Sequence, residues 1–379
     1  MRLSKGRATA FASAAVLGVA VASVLIGGCR GSGCGERVTV AGSELRVGGE
    51  RFFAYGYNFV QPATERLFSN PTRRNERRMA KVLTRLRHRY LANSVRIFLE
   101  LPTFMPRPKR LDRDALQGLE WLVARAEVEG LRLVLVGNVT TRASRARRWY
   151  ERMGEARRWD TQALFWRRLA ARLRGSESVL FYELANEPIV PNEPARSWYV
   201  GELGGQYWAQ NVVKDLGGRD PDAVAERWTR KMSRAVDRSD PGALVSIGSF
   251  SPPGTQNPFR PAVLAPYLDL FSVHEYPDTS VGPFSHSSGN RAAAEIRQWA
   301  KPGKPLVLSE VYAREGGFEA LDAYLRETRD YLSGAISHYG FTDPDSGSRL
   351  ILDEAERADE ARNLDIFLGL HPLLCRGAC

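Results

Sequence analysis

Eight short apolar runs are spaced along the chain, and segments with helical periodicity fill the intervals between them. The runs are 52–59 (FFAYGYNF), 94–100 (SVRIFLE), 131–138 (LRLVLVGN), 179–187 (VLFYELANE), 243–250 (ALVSIGSF), 268–276 (LDLFSVHEY), 305–312 (PLVLSEVY) and 334–341 (GAISHYGF). In RDALQGLEWLVARAEVEG, DAVAERWTRKMSRAVDRSD and GFEALDAYLRETRDYL, apolar positions recur at three- and four-residue steps, as in helices with one buried face. Gly130, Asp240-Pro241 and Pro302-Gly303 mark returns to strand. Strands that alternate with helices pair in parallel through right-handed crossovers. Eight such units within residues 45–374 predict an α/β fold, a closed (β/α)8 TIM barrel. The competing topology, a doubly wound open sheet, expects a glycine-rich phosphate turn after an early strand, whereas the first strand here ends YGYNFVQP. Ahead of the barrel, RVTVAGSELRVGGERFF predicts a short hairpin with turns at Ala41-Gly42 and Gly48-Gly49. After the fourth strand, residues 189–220 are rich in Pro, Gly, Trp and Tyr and predict a long irregular loop over the barrel mouth.

In such a barrel the C-terminal strand ends form the active-site mouth, so polar residues at those ends are informative. In chain order they are Asn58, Arg96, Asn138, Asn186 with Glu187, Ser249, His274 with Tyr276, Glu310 and Tyr339. This ring of hydrogen-bonding and charged groups is poorly suited to a core and well suited to a polyol. Glu183 and Glu187 are not the working pair, because four residues of strand separate them by about 13 Å. Retaining glycosidases hold their carboxyls about 5–5.5 Å apart and inverting ones roughly 6.5–9.5 Å. The partner expected for Glu187 is Glu310, at the end of the seventh strand and nearly opposite. Glu183 lies deeper and reads as a buried structural carboxylate bonded to a polar neighbour.

NSVRIFLE, YELANEP, SVHEYP and KPLVLSE, in family order, each ending a predicted strand and spread from residue 93 to 310, resemble glycoside hydrolase family 5, the cellulase and β-mannanase superfamily of retaining clan A glycosidases. The resemblance covers roughly residues 45–345 and implies hydrolysis of β-linked glycans, of the β-mannan or β-1,4-glucan type, by double displacement. By position, Glu187 matches the family's acid/base and Glu310 its nucleophile. Asn186 matches the residue that bonds the sugar 2-hydroxyl, and Arg96 the arginine that keeps the nucleophile ionised. His274 and Tyr276 match the pair lining the cleaved-sugar site, with the tyrosine bonding the nucleophile. Two departures bear on substrate. Tyr339 or His338 stands where the family has a tryptophan platform at strand 8, and Asn138 stands where many relatives have histidine. Trp198 and Trp208, in the strand 4 loop, read either as sugar platforms or as loop packing. Alternatives on the same scaffold are a transglycosylase and a non-catalytic glycan-binding lipoprotein; retention of both acids weighs against the latter.

Composition adds limits. The 379 residues are 43% hydrophobic and 26% charged, with a formal net charge of +11, an ordinary globular balance. Residues 1–28 combine Arg2, Lys5 and Arg7 with an apolar run and read as an export signal. Its ending LIGGC resembles a lipobox that would lipidate Cys29, and an uncleaved anchor or simple secretion are the other options. Each places the remainder on the outer side of the membrane. Residues 29–44 read as a linker and the start of the hairpin, and 375–379 as a cysteine-containing tail. Cys34 could pair with the tail, or Cys375 with Cys379. The excess arginine falls on apparent helix surfaces without aromatic interleaving, so nucleic-acid binding gains no support. No metal-ligand spacing or phosphate-cradling loop is present, and the expectation is a monomer without cofactor.

Overall fold

The computed structural model describes residues 36–59, 62–137, 148–203, 206–250, 258–277, 289–313, 317–339 and 354–379. Strands β1 (Thr39–Ala41), β2 (Glu44–Val47) and β3 (Glu50–Phe52) precede β4 (Ala54–Phe59), β5 (Ser94–Phe98), β6 (Arg132–Val136) and β7 (Val179–Asn186). Then come β8 (Pro188–Ile189), β9 (Tyr199–Leu203), β10 (Gln206–Asn211), β11 (Val245–Phe250), β12 (Phe271–Glu275), β13 (Leu306–Val311) and β14 (Gly334–Tyr339). The eight apolar runs are the eight barrel strands, closed in the order β4-β5-β6-β7-β11-β12-β13-β14 with β14 parallel to β4. This is the predicted TIM barrel.

Local chemistry sets the crossover helices. The helix Arg113–Glu129 starts where the Asp112 carboxylate accepts from the amides of Asp114 and Ala115, and such caps typically contribute about 1 kcal/mol. It stops at Gly130, whose φ of 67° an L-residue adopts only with strain. The helix Pro221–Asp237 repeats the device, with Asp220 as cap and Pro221 at its first position. Leu119, Leu122 and Ala126 on one helix, and Trp228, Met232 and Val236 on the other, belong to the main core around the strands.

A second core fills the lower half of the barrel. Ala54, Leu180, Leu244, Leu270, Val307 and Ile336 are capped there by Val38, Leu45 and Val47. The expected hairpin is thus a three-stranded antiparallel sheet, β1-β2-β3, because each Gly-containing turn returns one more short strand. Residues 189–220 also differ from the expected irregular loop. β10 pairs antiparallel with β9 and parallel with β8, and Tyr199 stacks on Tyr207 with ring centroids 5.3 Å apart. The runs YVGEL and QYWAQN lack the continuous apolar stretch of the barrel strands and pair with one another. At the C-terminus Cys375 is bonded to Cys379, and the Ala378 carbonyl accepts from the Phe53 amide at 2.8 Å. Cys29 and Cys34 lie outside the described residues, as does Asn138.

Candidate active site

Arg96 on β5 is fully buried and joins three strand ends. Its Nε donates to Glu183 Oε2 at 3.2 Å and its Nη2 to the other Glu183 oxygen. Nη1 donates to Glu310 Oε1 at 2.5 Å and to Asn58 Oδ1 at 3.1 Å, and Nη2 also reaches Asn186 Oδ1 at 2.6 Å. Burial opposes the guanidinium charge, but Glu183 and Glu310 outweigh it and hold the Arg96 pKa above its ordinary value. Glu183 is therefore the buried structural acid expected from the sequence, with Arg96 and Ser272 (Oγ to Oε2, 2.6 Å) as its partners. A buried ion pair of this kind is costly to break from one side, by about 3–5 kcal/mol.

Two carboxylates face each other above this base. Glu187 follows β7, its amide bonded to the Gly248 carbonyl at 2.8 Å, and has φ +48°. A left-handed glutamate costs about 1–2 kcal/mol, and strain of this kind gathers at functional sites. The register between β7 and β11 shifts between Ser246 and Gly248, which turns Asn186 and Glu187 toward the mouth. His274 Nδ1 lies 2.8 Å from Glu187 Oε1 and 3.7 Å from Glu310 Oε2. The Tyr276 hydroxyl donates to Glu310 Oε2. Donor atoms of Glu187, His274 and Glu310 all lie within 4.8 Å of one another. That set resembles a cation site in residue type, but Arg96 and Tyr276 already donate to both Glu310 oxygens, and a cation there would sit against a guanidinium. A second group, His371 with Cys375 and Cys379, has its sulfurs tied in the disulfide and offers no thiolates.

The structure brings together Asn58, Arg96, Asn186, Glu187, His274, Tyr276 and Glu310. Ser249 is buried at the end of β11, and Tyr339 ends β14 opposite Phe59, its side chain outside the described atoms. The two loop tryptophans part ways. Trp198 is 6% exposed, its indole N–H donates to the Glu151 carbonyl, and the Arg158 guanidinium lies 4.5 Å from its ring, so it packs the loop. Trp208 is half-buried beside the site, its carbonyl accepting from Asn186 Nδ2 at 2.8 Å and its ring edge-on to Phe98. Phe98 in turn lies under the Arg96 guanidinium, 4.7 Å from Cζ to centroid. Phe98, Ser272, Ser309 and Gly248 escaped the sequence reading. Ser272 and Ser309, bonded to each other at 2.6 Å, did leave a signal: a lone hydroxyl inside an apolar strand needs a buried partner.

Residues 55–333, which include Asn58, Arg96, Asn186, Glu187, His274, Tyr276 and Glu310, match the family Cellulase (glycosyl hydrolase family 5). No curated protein matches the chain. Among solved structures, the β-mannanase of the blue mussel Mytilus edulis superposes with TM-score 0.60 at 17% identity, over 89% of this chain and 96% of the mussel protein. The exo-β-1,4-mannosidase of an Opitutaceae bacterium gives 0.61 at 18% over 89% of this chain, which spans 62% of that longer protein. A β-glucanase of Saccharophagus degradans, in complex with cellotetraose, gives 0.58 at 15%, over 91% and 94% of the two chains. Identities this low establish a shared fold, while the match over residues 55–333 establishes the family. The chain belongs to glycosyl hydrolase family 5 and is a glycosidase.

Proposed function

We propose that this glycosidase cleaves β-linked mannan or glucan chains with retention of configuration, Glu310 acting as nucleophile and Glu187 as acid/base. One observation carries the reading: the two carboxylates end β7 and β13 and approach within 4.8 Å. That supports direct attack, for which carboxyls stand about 5–5.5 Å apart, over an inverting site at roughly 6.5–9.5 Å. The partners support the division of roles. Arg96 and Tyr276 both donate to Glu310, which favours the anionic form that attacks the anomeric carbon. Glu187 faces His274, whose Nδ1 lies 2.8 Å from its Oε1. It gives its proton to the glycosidic oxygen as the C–O bond breaks, and Glu310 forms an ester to the sugar. Glu187 then takes a proton from water, which attacks the same carbon and releases Glu310. The mannanase and glucanase neighbours support both sugar classes. The signal-like N-terminus and Cys29 support export and lipid anchoring, and Cys29→Ala tests this by release from the membrane fraction or a block in processing.

The dyad is tested by substitution with two leaving groups. Glu310→Ala should lose several orders of magnitude on every substrate. Glu187→Ala should lose most where the leaving group is a sugar and far less with an activated aryl glycoside, which departs unprotonated. Azide should accelerate that variant and give a β-glycosyl azide. An α-azide, or equal losses on both substrates without azide response, refutes the assignment.

A further inference from the structure

We propose that the N-terminal end of the barrel, opposite the catalytic mouth, docks on an anionic phospholipid surface. Scattered exposed apolar residues are ordinary on a protein surface, so what matters is where they fall. Among the described residues the large exposed ones are Val40 (36%), Leu91 (42%), Val128 (75%) and Tyr331 (40%). All four lie at one end. Val40 is in the sheet that plugs the barrel, Leu91 precedes β5, Val128 is in the last turn of the helix leading to β6, and Tyr331 precedes β14. The entries to β14, β4, β5 and β6 are neighbours in the barrel. Leu91 has φ +56°, a conformation that a bulky L-residue adopts at a cost, yet its side chain gains no burial in return. It also lines an open cavity of about 620 Å³ with Arg87, His88 and His371, apolar surface beside a guanidinium.

Charge complements the apolar residues. The helix Arg73–His88 descends to this end and brings Arg85 and Arg87 to it in its last turn. Arginines of the same end share acids: Arg46 and Arg51 meet Glu44, and Arg329 and Arg376 meet Asp330. Other acids at this end include Glu36, Glu50, Glu127, Glu129, Glu177 and Glu327, of which Glu129 is taken by Arg125 and Glu327 by Arg297. The chain also enters here, the Glu36 carbonyl accepting from Arg132 at the start of β6. Cys29 precedes Glu36 by seven residues, a reach of at most about 25 Å. Apolar residues interleaved with arginines suit the headgroup boundary of an anionic bilayer. Docked this way, the mouth faces away from the membrane toward its polymer.

Amide hydrogen exchange of the full chain, mixed with vesicles of phosphatidylcholine alone or with phosphatidylglycerol, tests the proposal. The expected result is slower exchange at 89–92, 128–131 and 329–333 with the anionic vesicles only, and no change at 189–203 beside the mouth. Leu91→Asp and Val128→Asp, both at exposed positions, should each weaken vesicle binding by about tenfold. Protection at neither end, or equally at both, overturns the proposal, as does protection without vesicles that grows with protein concentration, which would mean a second copy. Cys29→Ala separates anchoring from docking: it removes a lipid anchor, while the difference between the two ends must persist.

Discussion

Adding one methyl group to Gly248 tests whether the buried base of the site controls its chemistry. Gly248 lies on β11, beside the bulge that presents Glu187, and carries no reacting group. A Cβ at this position would stand 2.2 Å from Glu183 Oε1 and 2.7 Å from His274 Nε2. Ordinary contact begins at 3.4 Å, so the Glu183 oxygen must retreat by about 1.2 Å (3.4 − 2.2). It has little freedom to do so, because Arg96 holds both oxygens and Ser272 one of them. The displacement therefore passes to Arg96 and His274, and through them to Glu310 and Glu187. Overpacking of this kind costs about 1–3 kcal/mol of stability, and misplacing a catalytic group by about 1 Å costs on the order of 10²-fold in rate. Gly334→Ala is the control. Its Cβ would meet Ala54 Cβ at 2.7 Å and the Ala54 carbonyl oxygen at 2.8 Å, near the plugged end of the barrel. Both variants should lose comparable stability in urea. Only Gly248→Ala should lose kcat on an activated aryl β-glycoside, normalised to folded protein. Wild-type kcat in Gly248→Ala, at equal destabilisation, would refute transmission through Glu183.

Three further outcomes follow from the same geometry. Arg96→Lys keeps the charge but cannot span Glu183, Asn58, Asn186 and Glu310 at once; kcat should fall at least about 10²-fold, and stability by about 3–5 kcal/mol, read by kinetics and urea unfolding. Trp208→Ala should raise KM on long substrates with little change in stability, whereas Trp198→Ala should cost about 3–5 kcal/mol and leave the KM of folded enzyme unchanged. His371 is held below its ordinary pKa by burial and then by Arg87. Its stabilising contribution is therefore complete above about pH 6.5, falls away as pH drops below that value, and is gone beneath the folded pKa. His371→Gln should flatten that limb of a stability-against-pH curve, and an unchanged limb would assign it to other groups.

Some of this protein was legible without coordinates because it is encoded locally. Each barrel strand is a run of apolar residues long enough to be covered on both faces, and each crossover helix has its own caps, as at Asp112, Gly130 and Asp220. The carboxylate positions were legible for the same reason: an acid at the end of an apolar strand has one place to go, the mouth. Strand spacing alone ruled out Glu183 as the partner of Glu187. What the sequence left open depends on distances between residues far apart in the chain. Trp198 and Trp208 are equivalent as letters, and only the pairing of β9 with β10 enclosed one and left the other beside Asn186. Glu183 is 127 positions before Glu310, yet both share Arg96, and nothing in the spacing of the three reveals that one guanidinium divides its charge between them. Gly248 reads as an unremarked small residue until β11 lies against β7. Periodicity and capping act within a few residues and are written there, whereas the site is set by which side chains a closed barrel forces across its axis, and that only the tertiary structure decides.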